Sequence, residues 1–342
     1  MPGIVVLELG EVLTIVWHGV MLANDRSSSK GWQGNSSFCL TVSGGLMKKQ
    51  RFGGDWTQEK LERVRKYLHA YTTIFSRNPR AQNLIPIYVD AFAGSGYRAT
   101  DHRQSSTLGL FPEFAEADTQ AFVKGSARIA LEVDPPFKKY LFIEQNPDFA
   151  QELQNLKREY ADKADIIEII ESDANTYLTR WCATTDWSRN RAVVFLDPYG
   201  MQVEWNLISS IADTKAIDLW ILFPIGMAVN RLLTTGGPPP EEWRQALTRI
   251  FGTEEWERVF YGIDETPDLF GDGGGQKVKL ADFQKIGQFF VQRLKTVFAG
   301  VSDNPLPLLN RRNNPLYLLC FASGNPKGSK TAVRIANDIL KG

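Results

Sequence analysis

The chain has 342 residues, 43% of them hydrophobic, and 39 basic side chains set against 39 acidic ones. That apolar content suffices for one large domain or two modest ones, and the even charge excludes a strongly basic protein that coats nucleic acid by charge alone. Three cysteines (Cys39, Cys182, Cys320) and three histidines lie scattered, with no C-x-x-C; they indicate no disulfide framework and no metal site, and they point to a reducing, cytoplasmic setting.

The first residues, "MPGIVVLELGEVLTIVWHGVMLA", lack a basic start, and Glu8 and Glu11 interrupt an apolar run too short to cross a bilayer. The following "NDRSSSKGWQGNSSF" is rich in Ser, Gly and Asn and reads as disordered. Residues 1–46 are therefore expected to be a disordered or mis-annotated extension, with Met47 opening a natural start. From there residues 47–342 read as one domain. Leu61, Val64, Leu68, Tyr71 and Ile74 recur at helical spacing and predict a helix over 55–75. Residues 84–89, "LIPIYV", form a short apolar run with the look of a buried strand. The polar stretch 97–124 has no period and reads as an inserted loop. "GSARIALEV" is a short helix, "YLFIEQN" a strand, and "PDFAQELQNLKREY" a helix with Pro147 in its first turn. "DIIEII", "RAVVFLDPYG" and "AIDLWILFP" supply three more strands, the first two each followed by a helix. Such alternation predicts an α/β fold with a doubly wound, mostly parallel sheet. Glycine and proline clusters at 236–240 and 271–275 bracket a helical, Trp-rich segment, and with a further helix over 280–298 it makes up a helical addition of about 236–298. "PLYLLCFASGNP" closes the sheet as a late strand, in a hairpin with residues near 297–309. Trp205, Trp220, Trp243 and Trp256 are expected to be packing residues.

In open α/β sheets the ligand crevice lies beyond the carboxyl ends of the strands, and four of these ends carry suitable residues. Asp90, Phe92, Gly94 and Gly96 close the first; the glycines let the backbone turn tightly and approach a ligand. Glu144 ends the second strand, Asp173 follows the third, and Asp197-Pro198-Tyr199-Gly200 follows the fourth. Simpler duties are available to each: Asp173 as a helix N-cap, Glu144 as partner to Lys138 or Lys139, and D-P-Y-G as a turn. Arg231, after the fifth strand, faces either an anionic substrate or solvent. Gly94 to Ala99 also fits the dinucleotide pattern G-x-G-x-x-A, but the helix and strand that an NAD site requires do not follow it. An NAD-dependent oxidoreductase is the third reading, and no P-loop is present.

Taken together, the four strand ends resemble the class I S-adenosylmethionine-dependent methyltransferases. The resemblance implies a Rossmann-like sheet of that type and S-adenosylmethionine as cofactor. It assigns Asp90, Phe92, Gly94 and Gly96 to the methionine side, Glu144 to the ribose hydroxyls and Asp173 to the adenine amine. It also implies that Asp197, Pro198 and Tyr199 are catalytic, methylating an exocyclic amino group, with a nucleic-acid base favoured as substrate. The motif departs from the D-P-P-[FYW] of amino-methylating relatives: one proline is missing and the aromatic comes one place early. In that form it looks more like the D-P-[FY]-G of tRNA guanine methyltransferases. Over a longer span, "YVDAFAGSG", "GSARIAL", "YLFIEQN", "VVFLDPYGMQVEW", "DLWILFPIGMAVNRLL", "WRQALTRIFG" and "LYLLCFASGNPKG" resemble, in order, the three-Cys-motif partner family (TcmP) of bacteria. That resemblance implies a protein partner bearing a three-cysteine motif. It also leaves open a catalytically degenerate methyltransferase fold that serves only to bind that partner. Lys48–Arg51 and Arg311-Arg312 are candidate phosphate contacts.

Overall fold

A computed structural model describes residues 5–9, 12–16, 56–94, 125–263, 277–310 and 312–341. Gly96, the expected loop 97–124, Lys48–Arg51 and Arg311 lie outside the described residues. The chain divides into two compact units, residues 1–51 and 52–342. In the first, β1 (Val5–Leu9) and β2 (Val12–Val16) pair as an antiparallel hairpin within the stretch expected to be disordered.

The second unit opens with the long helix α1 (Trp56–Arg77), then β3 (Ile85–Asp90) and α2 (Ser126–Leu131). Next come β4 (Lys139–Glu144), α3 (Pro147–Glu159), β5 (Ile167–Glu171) and α4 (Ala174–Thr184). After these follow β6 (Asn190–Leu196), α5 (Trp205–Asp213) and β7 (Ile217–Phe223). A π-helical turn, Ile225–Val229, leads into the short α6 (Asn230–Leu232). The addition then comprises α7 (Glu241–Phe251), α8 (Glu255–Phe260), the small hairpin of β8 (Tyr261–Ile263) and β9 (Lys277–Lys279), and α9 (Phe283–Lys295). The chain finishes with β10 (Gly300–Val301), β11 (Leu306–Leu309), β12 (Pro315–Ser323) and α10 (Ser329–Lys341).

Strands β5-β4-β3-β6-β7 run parallel in that order. β12 pairs antiparallel with β7, and β10 and β11 both pair with its outer edge. This is the Rossmann-like, doubly wound sheet of the class I methyltransferase type, with a helical insertion after its fifth parallel strand. The strands ending at Asp90, Glu144 and Asp197 are neighbours in one sheet.

Strand alternation explains the layering. Ile87, Val89, Leu141, Ile143, Val194, Leu196, Leu219 and Ile221 face a core closed by α4, α5 and the inserted helices α7 to α9. Tyr88, Tyr140, Phe142, Val193, Phe195, Trp220 and Leu222 face the other core, closed by α1, α2, α3 and α10. With both faces covered, the strands read as continuous apolar runs, as a buried parallel sheet requires. Trp205, Trp220 and Trp256 are buried as packing residues, whereas Trp243 is 39% exposed.

The insertion is anchored where α7 ends. Gly252 takes φ +66°, and a Cβ there would lie 2.0 Å from the Trp205 ring; Trp205 itself is overlain by the Arg293 guanidinium, 4.6 Å from its centroid. Gly252→Ala should therefore destabilise the fold through left-handed strain and overpacking together, by about 2–4 kcal/mol in urea unfolding. Gly236→Ala, where a Cβ meets nothing within 4 Å, should stay within about 0.5 kcal/mol of wild type. Equal effects at the two positions would remove Gly252 as the anchor.

Candidate functional site

The parallel strand order reverses at β3, whose neighbours β4 and β6 lead the chain away in opposite directions; in sheets of this kind the carboxyl ends at such a point are where ligands are held. The loop leaving β3 is tied to both neighbours. The Ala91 N–H donates to Phe195 O of β6 (3.1 Å), and the Ala93 N–H donates to Ile143 O of β4 (3.1 Å). Gly94 then turns at φ +60°, and apart from its chain neighbours no described residue stands within 4 Å of where a Cβ would be. Its N–H donates to Glu144 Oε2 at 2.8 Å, while Glu144 Oε1 accepts from Asn146 N–H at 2.8 Å. Glu144 therefore holds the glycine loop against its own strand end. Two accepted bonds leave lone pairs on both oxygens of this half-buried carboxylate. Lys139 pairs instead with Glu168 (2.7 Å), and Lys138 donates to the backbone oxygens of Gln82 and Leu84. The local lysines do not claim Glu144.

Asp173, one strand further out, is the N-cap of α4: its Oδ1 accepts from Thr176 N–H (2.8 Å) and from the Thr176 hydroxyl (2.9 Å). Phe92 is half-buried and packs on the core beneath the loop. Asp90 is completely buried. Its Oδ2 accepts a 3.3 Å bond from the Tyr88 hydroxyl, two residues back on the same strand face. Oδ1 finds no partner in hydrogen-bonding geometry among the described residues. Burial pushes the Asp90 carboxyl up to about 7; the Ser126 hydroxyl, the Phe92 amide and Tyr88 pull it down, and the nearby charge of Asp197 adds to the rise.

On the other side of β3, the D-P-Y-G turn follows β6. Tyr199 N–H donates to Gln202 Oε1 (2.8 Å), and Gly200 closes the corner at φ +67°. Pro198 is buried, whereas Tyr199 is 68% exposed beside it. Asp197 Oδ2 accepts a charged bond from the Lys60 ammonium of α1. Lys60 was not among the residues the sequence singled out. Trp56, one turn earlier, lies 5.2 Å from that ammonium and stacks on Tyr317 of β12 with centroids 5.3 Å apart. Arg231 is half-buried on α6, beyond β7. Among the described residues there is no cluster of metal-binding side chains and no helix long and apolar enough to cross a membrane.

The chain matches no model of a known family and no curated protein. Solved structures similar to it include a Legionella pneumophila protein assigned to DUF519 (12% identity, TM-score 0.44, covering 84% of this chain and 92% of that one). They also include a conserved hypothetical protein of Streptococcus pyogenes (13%, TM-score 0.27, covering 59% and 89%) and a candidate methyltransferase, yhhF, of Escherichia coli (18%, TM-score 0.23, covering 44% and 65%). Likenesses at these TM-scores carry no argument about the site, and the fold rests on the chain's own strand order.

Asp90 makes a checkable demand on stability. Its folded pKa, about 7, lies above the ordinary 3.8, so between about pH 4 and pH 7 the native state binds the proton that the unfolded chain releases. Stability must fall as pH rises through that window, by on the order of 4 kcal/mol for this group. Asp90→Asn should therefore gain stability relative to wild type between pH 5 and pH 8 in urea unfolding. Parallel pH curves for the two proteins would mean that Asp90 is not held towards its neutral form.

Proposed function

We propose that this chain is an S-adenosylmethionine-dependent methyltransferase acting on an exocyclic amino group, with a nucleic-acid base as the favoured substrate. The observation that carries the reading is the Glu144–Gly94 pair at the switch point, with the D-P-Y-G turn on the opposite side of β3.

The residues present suit an adenosyl ligand. Glu144 keeps acceptor capacity for two ribose hydroxyls, no described residue crowds the flank of Gly94, and Asp173 sits at the next strand end. Asp90, being fully buried, serves the loop from beneath, its unpaired Oδ1 and Tyr88 forming a polar floor under the turn. Bound there, the cofactor supplies an electrophilic methyl group on sulfonium. The chain's own task is to position the nucleophile. The lone pair of an exocyclic amine is delocalised into its ring. Asp197 and the Pro198 carbonyl accept its two N–H bonds and so turn that lone pair outward, while the exposed Tyr199 ring stacks on the base plane. A base presented in this way is single-stranded or flipped out of its helix.

Two variants separate the halves of the site. Glu144→Ala removes two charged hydrogen bonds, each worth about 1.5–3 kcal/mol, and should abolish the heat of S-adenosylhomocysteine binding in calorimetry. Asp197→Asn should keep that heat and lower tritiated methyl transfer to cellular RNA and DNA by about 10²–10⁴-fold. Because this change strands the Lys60 ammonium, thermal unfolding is followed in parallel. Tyr199→Ala, at an exposed position, tests the same corner with little cost to the fold. Undiminished transfer in both corner variants would remove D-P-Y-G from catalysis. Cofactor binding without transfer by the wild type would favour a degenerate fold that binds a three-Cys-motif partner.

A further inference from the structure

Lys60 is 1% exposed, among the most deeply buried large side chains of the protein. A lysine ammonium inside a protein is costly unless it is paired. It also stands close to the amino end of α1, where the helix dipole disfavours a cation. Helix stability therefore does not account for it, and neither does core packing, which an apolar residue would serve better.

Among the described residues it pairs with the acid of the D-P-Y-G turn, 137 residues away in sequence. The pair is asymmetric: Lys60 lies inside, while the Asp197 side chain remains 21% exposed. The cation therefore backs the carboxylate from the α1 side and leaves its outer face to solvent. The other acid near this corner, Asp90, is buried and held towards its neutral form. A cation arriving from solvent meets a carboxylate whose attraction is largely offset by the ammonium behind it. A neutral N–H donor loses little by this, because a hydrogen bond depends on the nearest acceptor atom and its direction.

We infer that Lys60 is a positioning residue that fixes and neutralises Asp197 from behind, so that the corner selects a neutral, ring-conjugated amine and rejects protonated alkylamines such as a lysine side chain. The inference rests on the amine-orienting role given to Asp197 above. The exposed Tyr199 ring supplies the flat surface that such a ring requires.

The test uses the full chain and ligand-observed NMR. Binding of S-adenosylhomocysteine is measured first; its absence overturns the methyltransferase reading itself. With that ligand saturating, the probes are cytidine and guanosine, which carry an exocyclic amine, uridine, which does not, and butylammonium. Wild type should bind cytidine or guanosine in preference to uridine and to butylammonium. Lys60→Met should bind butylammonium about tenfold more tightly than wild type does and lose its preference for the amino nucleosides. Lys60→Arg, which keeps the charge, should retain the wild-type order. Butylammonium binding to wild type as tightly as the nucleosides, or an order unchanged in Lys60→Met, overturns the inference while leaving the cofactor assignment intact. Should Lys60→Met fail to fold, Lys60→Gln is read against Lys60→Arg in the same way.

Discussion

The rest of the site depends on how the chain leaves β3. A loop that must cross a switch point has its backbone polar groups exposed on two sides at once. Here each side is met by one bond, Ala91 to β6 and Ala93 to β4. Those bonds fix Gly94 where the Glu144 carboxylate can close on it, and they set the glycine turn between the two neighbouring strand ends. The turn therefore stands between the strand ends that carry Glu144 and Asp197, without either residue being near the other in sequence.

Much of this was legible in the sequence. A strand buried on both faces has to be apolar throughout, so β3, β4, β6 and β7 stand out as runs of Ile, Val, Leu and aromatics, and acids end β3 and β4 and follow β6 directly. Asp173 is a helix cap, one of its two anticipated duties. The C-terminal helix α10 went unread, although Ala332, Ile335, Ala336, Ile339 and Leu340 follow a helical period. Its opening run, "GNPKGSK", has the composition of a loop, and that masked the periodicity behind it.

Lys60 carries a signal of its own in the helical period: four residues before Val64 and seven before Tyr67, it falls on the buried stripe of α1. A lysine on that stripe calls for a partner, but which one, an acid 137 residues away, is a tertiary property. The same holds for Arg63, which is 8% exposed and donates to the Ile339 carbonyl of α10.

The crossing of α1 is itself set by polar contacts at two points. Lys60 meets Asp197, just past the carboxyl end of β6, and Tyr67 donates to Asp218, near the start of β7, at 2.7 Å. Seven residues separate Lys60 from Tyr67, two helical turns on one face and about 10 Å of rise. In the sheet register Leu196 stands opposite Ile221, so Asp197 and Asp218 are about four residues apart along the strands, or about 13 Å. The two spans match closely enough for one straight helix, running against the strand direction, to satisfy both. Apolar burial alone would let α1 slide along the sheet, because one aliphatic contact substitutes for another at small cost. Two directional contacts two turns apart admit one register, and that register brings the Lys60 ammonium against the D-P-Y-G carboxylate.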